Sequence, residues 1–134
     1  MNAKPFLDTN ILIYAFALRD PRTEKAEGLL AAGGIISVQV LGEFVNVSRR
    51  KLGWDWPAIE SALAVMKSLL DPPIPLTAEL HSAAVALARD HGLSFYDSLI
   101  VAAACHANCT IVYSEDMQNG QKFGATTISN PFVR

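Results

Sequence analysis

The stretch Lys4-Pro5-Phe6-Leu7-Asp8-Thr9-Asn10-Ile11-Leu12-Ile13-Tyr14 changes its period halfway along. Phe6-Leu7 reads as a short apolar strand. Ile11 to Leu18 then reads as a short helix. Asp8, Thr9 and Asn10 sit at the switch. A strand that ends in an acid and turns at once into a helix puts that acid at the carboxyl edge of a sheet, where open α/β folds bind ligands. The plainer reading is that Asp8 or Asn10 caps the helix, since Asx side chains accept hydrogen bonds from first-turn amides. Acids elsewhere in the chain decide between the two.

Outward from this stretch, strands alternate with helices. Asp20-Pro21 starts a second helix with Ala26, Leu29 and Leu30 on its apolar stripe, as far as Gly33-Gly34. Ile35 to Ser37 is a brief buried strand, and Val40, Leu41, Phe44, Val45 and Val47 mark the helix that follows it to about Arg50. Glu43 lies inside that apolar helix, and on pattern alone it could equally be a solvent-facing position. Arg49-Arg50-Lys51 closes the helix. Cations at a helix C-terminus need no further reason, and the alternative is a phosphate-contacting patch. Asp55 and Pro57 begin a helix whose buried face is Ile59, Leu63, Met66 and Leu70, ended by Asp71-Pro72-Pro73. Ile74 to Leu76 is a third strand, Thr77 caps the next helix, and Gly92 stops it. Ser94 and Asp97 resemble a capping box ahead of Leu99–Ala104, which is apolar nearly all round and therefore deeply buried. Thr110 to Tyr113 is a β-branched and aromatic strand, followed at once by Ser114-Glu115-Asp116. Ala125 to Ser129 is the last strand.

Composition bounds the answer. The 134 residues suggest a single domain over 1–134, and a hydrophobic content of 51% excludes a disordered chain. No apolar run is long enough for a membrane span and no signal-peptide pattern opens the sequence, so a cytoplasmic protein with no membrane partner is expected. Cys105 and Cys109 are too few for a disulfide scaffold and read as core residues one turn apart. His106 with Cys109 lacks the second pair a zinc site needs. The net charge of −2 looks wrong for a nucleic-acid binder. If four of the 13 acids form a metal site, however, 13 minus 4 leaves 9 acids against 11 bases.

Alternation of strand and helix argues for a parallel sheet, and right-handed crossovers fix much of its geometry. Asp8 ends strand one. Glu43 is in the second turn of a helix leaving strand two. Asp97 is in the first turn of a helix that must descend to meet strand four, and Asp116 follows that strand. All four reach one edge, provided the helix after Thr77 crosses the fold rather than descending it. Clustered carboxylates repel, and a hard divalent cation with oxygen ligands resolves the conflict. Mg²⁺ or Mn²⁺ suits such a set better than zinc. The chemistry that calls for it is hydrolysis of a phosphodiester by metal-activated water.

The segments FLDTNILIYAF, the acid in VLGEF, LSFYDSLIVAAA and VYSEDMQNG together resemble PIN-domain ribonucleases, most closely the VapC toxins of toxin–antitoxin systems. Each segment alone is weak, and their order and spacing make the combination specific. The resemblance implies a PIN-like three-layer α/β/α fold with a parallel sheet of about five strands in the order 3-2-1-4-5. It implies a Mg²⁺- or Mn²⁺-dependent endoribonuclease that dimerises and is blocked by a cognate antitoxin. Carried over residue by residue, it makes Asp8, Glu43, Asp97 and Asp116 the acidic site residues. Asp8, Asp97 and Asp116 are the metal ligands, and Thr9, Asn10 and Ser114 support them.

Two other readings compete. A phosphatase-like hydrolase would use Asp8 as nucleophile, and it commonly wants a second acid two residues on, where this chain has Asn10. A non-catalytic PIN-like scaffold would bind RNA or protein only. The apolar stripes of Pro21–Leu30 and Trp56–Leu70, with Trp54 or Trp56, suggest either core packing or a face for a partner helix or a second copy.

Overall fold

The computed structural model describes residues 4–133. The chain runs β1 (Phe6–Leu7), α1 (Thr9–Phe16), α2 (Thr23–Ala31), α3 (Val38–Arg50), α4 (Trp56–Leu69), α5 (Ala78–His91), α6 (Phe95–His106), β2 (Ile111–Tyr113), β3 (Lys122–Phe123) and β4 (Thr126–Ser129). β1 pairs parallel with β2 in the register Leu7↔Tyr113, and β2 pairs parallel with β4. This is the expected PIN-like α/β arrangement, with differences in the sheet.

The regular sheet has four strands in the order β1-β2-β4-β3; the five expected segments do lie side by side in the order 3-2-1-4-5, but two of them are not full strands. Ile35–Ser37 and Ile74 do join it in parallel, but only by single bridges, Phe6↔Ile35 and Ser37↔Ile74. The reason lies in their neighbours. Ser37 is already the N-cap of α3, and Pro72, Pro73 and Pro75 bring no amide hydrogen to a ladder. The additional strand is β3, which is antiparallel to β4 across the two-residue turn Gly124-Ala125. Gly124 takes φ +61°, which a tight hairpin turn requires.

Helix ends follow their caps. Asp8, Ser37, Asp55, Thr77 and Ser94 each accept a first-turn amide, and Gly92 closes α5 in the left-handed conformation. The first helix therefore starts at Thr9 rather than Ile11. The second starts at Thr23 rather than at Asp20, whose carboxylate is engaged by Arg22. The helices form two packed groups, α1 to α4 and α5 with α6, and α6 also lies against β2 and α3. The connection from Ile74 to β2 is thus a helix pair, α5 and α6. Ser98 to Ala104 of α6 are all buried, as their composition requires. Each large aliphatic side chain removed from water in this core contributes roughly 1.5–3 kcal/mol before entropy is counted.

Gly34 sits where the bridge segment meets β1. A Cβ there would lie 2.9 Å from the Pro5 carbonyl oxygen and 3.3 Å from Leu7 Cγ. Gly34→Ala should therefore destabilise the fold by about 1–3 kcal/mol through overpacking against backbone. Urea unfolding checks this; a change within error of the exposed-site control Gly42→Ala, where nothing lies within 4 Å, would refute the close-approach argument.

Candidate active site

The parallel register of β1 and β2 builds the first part of the site. Because Leu7 is opposite Tyr113, the residues that follow, Asp8 and Ser114, leave the sheet side by side. Asp8 N–H donates to the Tyr113 carbonyl at 3.0 Å, and Ser114 Oγ donates to Asp8 Oδ2 at 2.8 Å. Asp8 Oδ1 accepts the Thr9 amide at 2.7 Å, so the carboxylate does cap α1, as the plainer reading required. It is also only 6% exposed and Ser114 is fully buried, which a surface cap would not be.

Asn10 ties the second acid to the first. Its Nδ2 donates to Asp116 Oδ2 at 3.1 Å and reaches Asp8 Oδ2 at 3.5 Å. Its Oδ1 accepts the Glu115 amide at 3.2 Å. One amide side chain thus fixes the loop after β2 against the start of α1. Thr9 Oγ1 donates to Glu43 Oε1 at 3.3 Å, which brings the third acid in from α3. Gln39, one turn before Glu43, donates Nε2 both to Glu43 Oε1 at 3.2 Å and to the Tyr96 carbonyl at 3.1 Å. That carbonyl immediately precedes Asp97, so Gln39 links α3 to the first turn of α6. Asp97 itself gives its amide to Ser94 Oγ at 3.1 Å, one arm of a capping box, and its carboxylate accepts no hydrogen bond among the described residues.

Two of the four acids carry shifts caused by burial and by their acidic neighbours. Burial pushes the Asp8 carboxyl up from 3.8 to about 6, against the lowering pull of the Ser114 hydroxyl and the Thr9 amide. The charges of Glu43 and Asp116 add to the rise. Burial also raises Glu43, opposed by hydrogen bonds from Gln39 and Thr9 and assisted by the charges of Asp97 and Asp116. The charges of Glu43 and Asp116 thus reach Asp8, and those of Asp97 and Asp116 reach Glu43, although the four acids come from four separate elements.

The donor set is made of carboxylates with no histidine or cysteine, which fits a hard cation such as Mg²⁺ or Mn²⁺ in kind. In spacing the acids stand apart: no three His, Cys, Asp or Glu side chains among the described residues are grouped closely enough to hold an ion as placed.

The arrangement matches a known family. A family model for the PIN domain matches residues 6–119. The chain belongs to the PIN-domain family. Solved structures with the same fold include VapC20 of Mycobacterium tuberculosis, a Sarcin-Ricin loop cleaving toxin. It is 24% identical over 83% of this chain and 88% of that one, with a TM-score of 0.69. A toxin–antitoxin complex from Klebsiella pneumoniae is 21% identical over 96% and 98%, with a TM-score of 0.70. VapBC2 from Rickettsia felis, bound to a DNA fragment from its promoter, is 23% identical over 93% and 96%, with a TM-score of 0.67. No curated protein sequence matches significantly.

Within this PIN domain, sequence reasoning missed several residues around the acids. Gln39 was one; its signal was its place one turn before Glu43. Tyr14, Arg22 and Glu115 were the others. Tyr14 Oη donates to Glu115 Oε1, and Arg22 Nη1 donates to both Glu115 oxygens at 2.9 and 3.0 Å. Arg49-Arg50-Lys51 lies at the far end of α3 from Ser37. Arg49 donates to the Trp54 carbonyl and its guanidinium lies 5.2 Å from the Trp56 ring centre, so helix-end packing engages Arg49, while Arg50 and Lys51 are exposed. Trp54 packs edge-on to Phe44, while Trp56 is half exposed. Cys109 is buried and Cys105 partly so, both as free thiols.

The raised Asp8 value has a measurable sign. Between about pH 4 and pH 6 the native state holds a proton on Asp8 that the unfolded chain has released. Native stability therefore falls as pH rises through that window, by on the order of 2–3 kcal/mol in chelator-treated protein. Asp8→Asn keeps the cap but has no such proton. Its stability relative to wild type should rise between pH 4 and pH 7, as read by urea unfolding. Parallel pH profiles for the two proteins would show that Asp8 is not held against its own burial.

Proposed function

We propose that this PIN domain is a metal-dependent endoribonuclease, the toxin of a VapBC-type pair. The observation that carries this reading is a buried Asp8, pushed up by burial and by Glu43 and Asp116, at the carboxyl edge of a parallel sheet in a PIN domain. The likeness to a toxin described as cleaving the Sarcin-Ricin loop supports RNA as substrate. Likeness to toxin–antitoxin complexes supports a cognate antitoxin as partner. A homodimer acting in the cytoplasm completes the proposal.

Asp8, Asp97 and Asp116 would hold Mg²⁺ or Mn²⁺, and Glu43 would serve as general base. When bound, the cation activates water and offsets charge on the phosphoryl oxygens. The chain's own residues do the rest. Ser114 and the Thr9 amide fix both oxygens of Asp8. Asn10 fixes Asp116, and Thr9 with Gln39 orients Glu43 through the same oxygen, Oε1. Burial raises the basicity of Glu43, which suits it to accept a proton from water. Asn10 donates hydrogen bonds to two carboxylates and carries no acidic proton for a leaving group. That favours this reading over a nucleophilic Asp8.

Direct attack of water on phosphorus requires no 2′-hydroxyl, so the products should carry 5′-phosphate and 3′-hydroxyl ends. Cleavage should stop with chelator and return with Mg²⁺ or Mn²⁺. End analysis of cleaved RNA checks this, and 2′,3′-cyclic phosphate termini would overturn the mechanism.

Ligand linkage gives an independent check. Saturating Mg²⁺ should raise the melting temperature of wild type, and Asp8→Asn and Asp97→Asn should lose most of that gain. Their loss of cleavage should exceed the roughly 10–100-fold typical of residues that only support ligands. If Asp97 were only a cap, its Asn variant would lose about 1 kcal/mol or less whether or not metal is present. An Mg²⁺ shift equal in all three proteins would separate these acids from any shared cation.

A further inference from the structure

Glu115 is a fifth acid at the same edge, covalently next to Asp116, yet its carboxylate is taken up elsewhere. Both its oxygens accept Arg22 Nη1, at 2.9 and 3.0 Å, and Oε1 also accepts the Tyr14 hydroxyl. Arg22 is itself immobilised. Its Nε and Nη2 form a fork on Asp20 at 2.9 Å each, and its guanidinium lies 3.8 Å from the centre of the Tyr14 ring. Tyr14 stands one turn along α1 from Asn10, and its ring packs edge-on to Phe132. The backbone of Glu115 is held at the same time, its amide donating to Asn10 Oδ1. Asn10 is the residue whose other end holds Asp116.

We propose that Arg22 and Tyr14 latch Glu115 and thereby act as positioning residues for Asp116, keeping the Glu115 carboxylate out of the acidic cluster while setting the loop that presents Asp116. The inference rests on the metal-site reading above and adds roles for Arg22, Tyr14 and Glu115, none of which is among the site residues named there. The physical logic is a division of labour between two adjacent acids. A guanidinium whose own fork is already anchored on Asp20, and whose Nη1 is shared between both Glu115 oxygens, holds that carboxylate by charge-assisted hydrogen bonds. With Glu115 pinned on one side and its amide pinned by Asn10 on the other, the peptide leading into Asp116 has little freedom left. Release Glu115, and the loop gains freedom while a mobile negative charge is set loose beside the cluster.

The two consequences of removing Arg22 have opposite signs, which makes the proposal testable. By charge alone, Arg22→Ala makes the neighbourhood more negative and should tighten divalent-cation binding. By positioning, it should weaken binding, by about the 10–100-fold that outer-shell supports of metal ligands contribute. The experiment is calorimetric titration of the full-length protein with Mn²⁺ alone, for wild type, Arg22→Ala, Arg22→Lys and Tyr14→Phe. Amide hydrogen exchange over residues 114–117 in chelator accompanies it. Weaker Mn²⁺ binding in Arg22→Ala, no full rescue by Lys, a smaller loss in Tyr14→Phe, and faster exchange across 114–117 without global unfolding are the expected results. Mn²⁺ binding equal to or tighter than wild type in Arg22→Ala, or full rescue by the Lys variant, would overturn the latch, since charge would then suffice. The exchange measurement uses neither metal nor RNA. Unchanged protection at the Glu115 amide would sink the latch even if the nuclease reading stood, and faster exchange would sustain its structural part even if wild type bound no Mn²⁺.

Discussion

The parallel pairing of β1 with β2 is the constraint on which the rest of the site depends. These strands are two and three residues long, and their register alone puts Asp8 beside Ser114 and Asn10 beside Glu115. A slip of one residue would exchange the two faces of the strands and misfit Phe6, Leu7 and Val112, all fully buried. Core packing therefore enforces the contacts of the polar edge. Asp8 itself adds one bond to that pairing, its N–H donating to the Tyr113 carbonyl.

That proximity has a cost that the surrounding hydrogen bonds only partly offset. The Ser114 hydroxyl and the Thr9 amide favour the charged form of Asp8, and still its carboxyl is pushed up to about 6. Glu43 is treated in the same way, with Gln39 and Thr9 opposing its burial. A fold that places carboxylates where they titrate against their own environment is storing unfavourable electrostatics at one edge. Such a concentration is the usual physical mark of a functional site. By contrast, the Arg89–Asp90 pair and the Lys4–Asp71 pair are exposed, and screening leaves surface pairs of that kind little to contribute.

The two adjacent acids after β2 show how neighbouring residues of one type are given different tasks. Asp116 is exposed and held by a neutral amide, and Glu115 is claimed by a cation and a phenol. Spacing in the sequence cannot separate them. The partners that do so, Arg22 and Tyr14, are more than ninety residues away along the chain and reach Glu115 from the N-cap of α2 and from α1.

The sequence by itself determined most of the element order and most helix caps, and it singled out the four acids that we propose as the site. Caps and apolar periods act over a few residues, and the strand-to-helix switch at Asp8 is local chemistry. The all-apolar run Leu99–Ala104 likewise announced its own burial. Tertiary structure decided what those signals leave open. Whether Ile35–Ser37 and Ile74 become full strands depends on prolines and caps competing for the same amides, and the result is two bridges and a four-stranded sheet. The hairpin at Gly124-Ala125 was written in a Gly-X pair but was hidden by the brevity of β3. The roles of Gln39, Arg22, Tyr14 and Glu115 arise from contacts between distant elements, which no local pattern encodes. Burial, which turns Asp8 from a helix cap into a strained carboxylate, is a property of the assembled core rather than of any stretch of the chain.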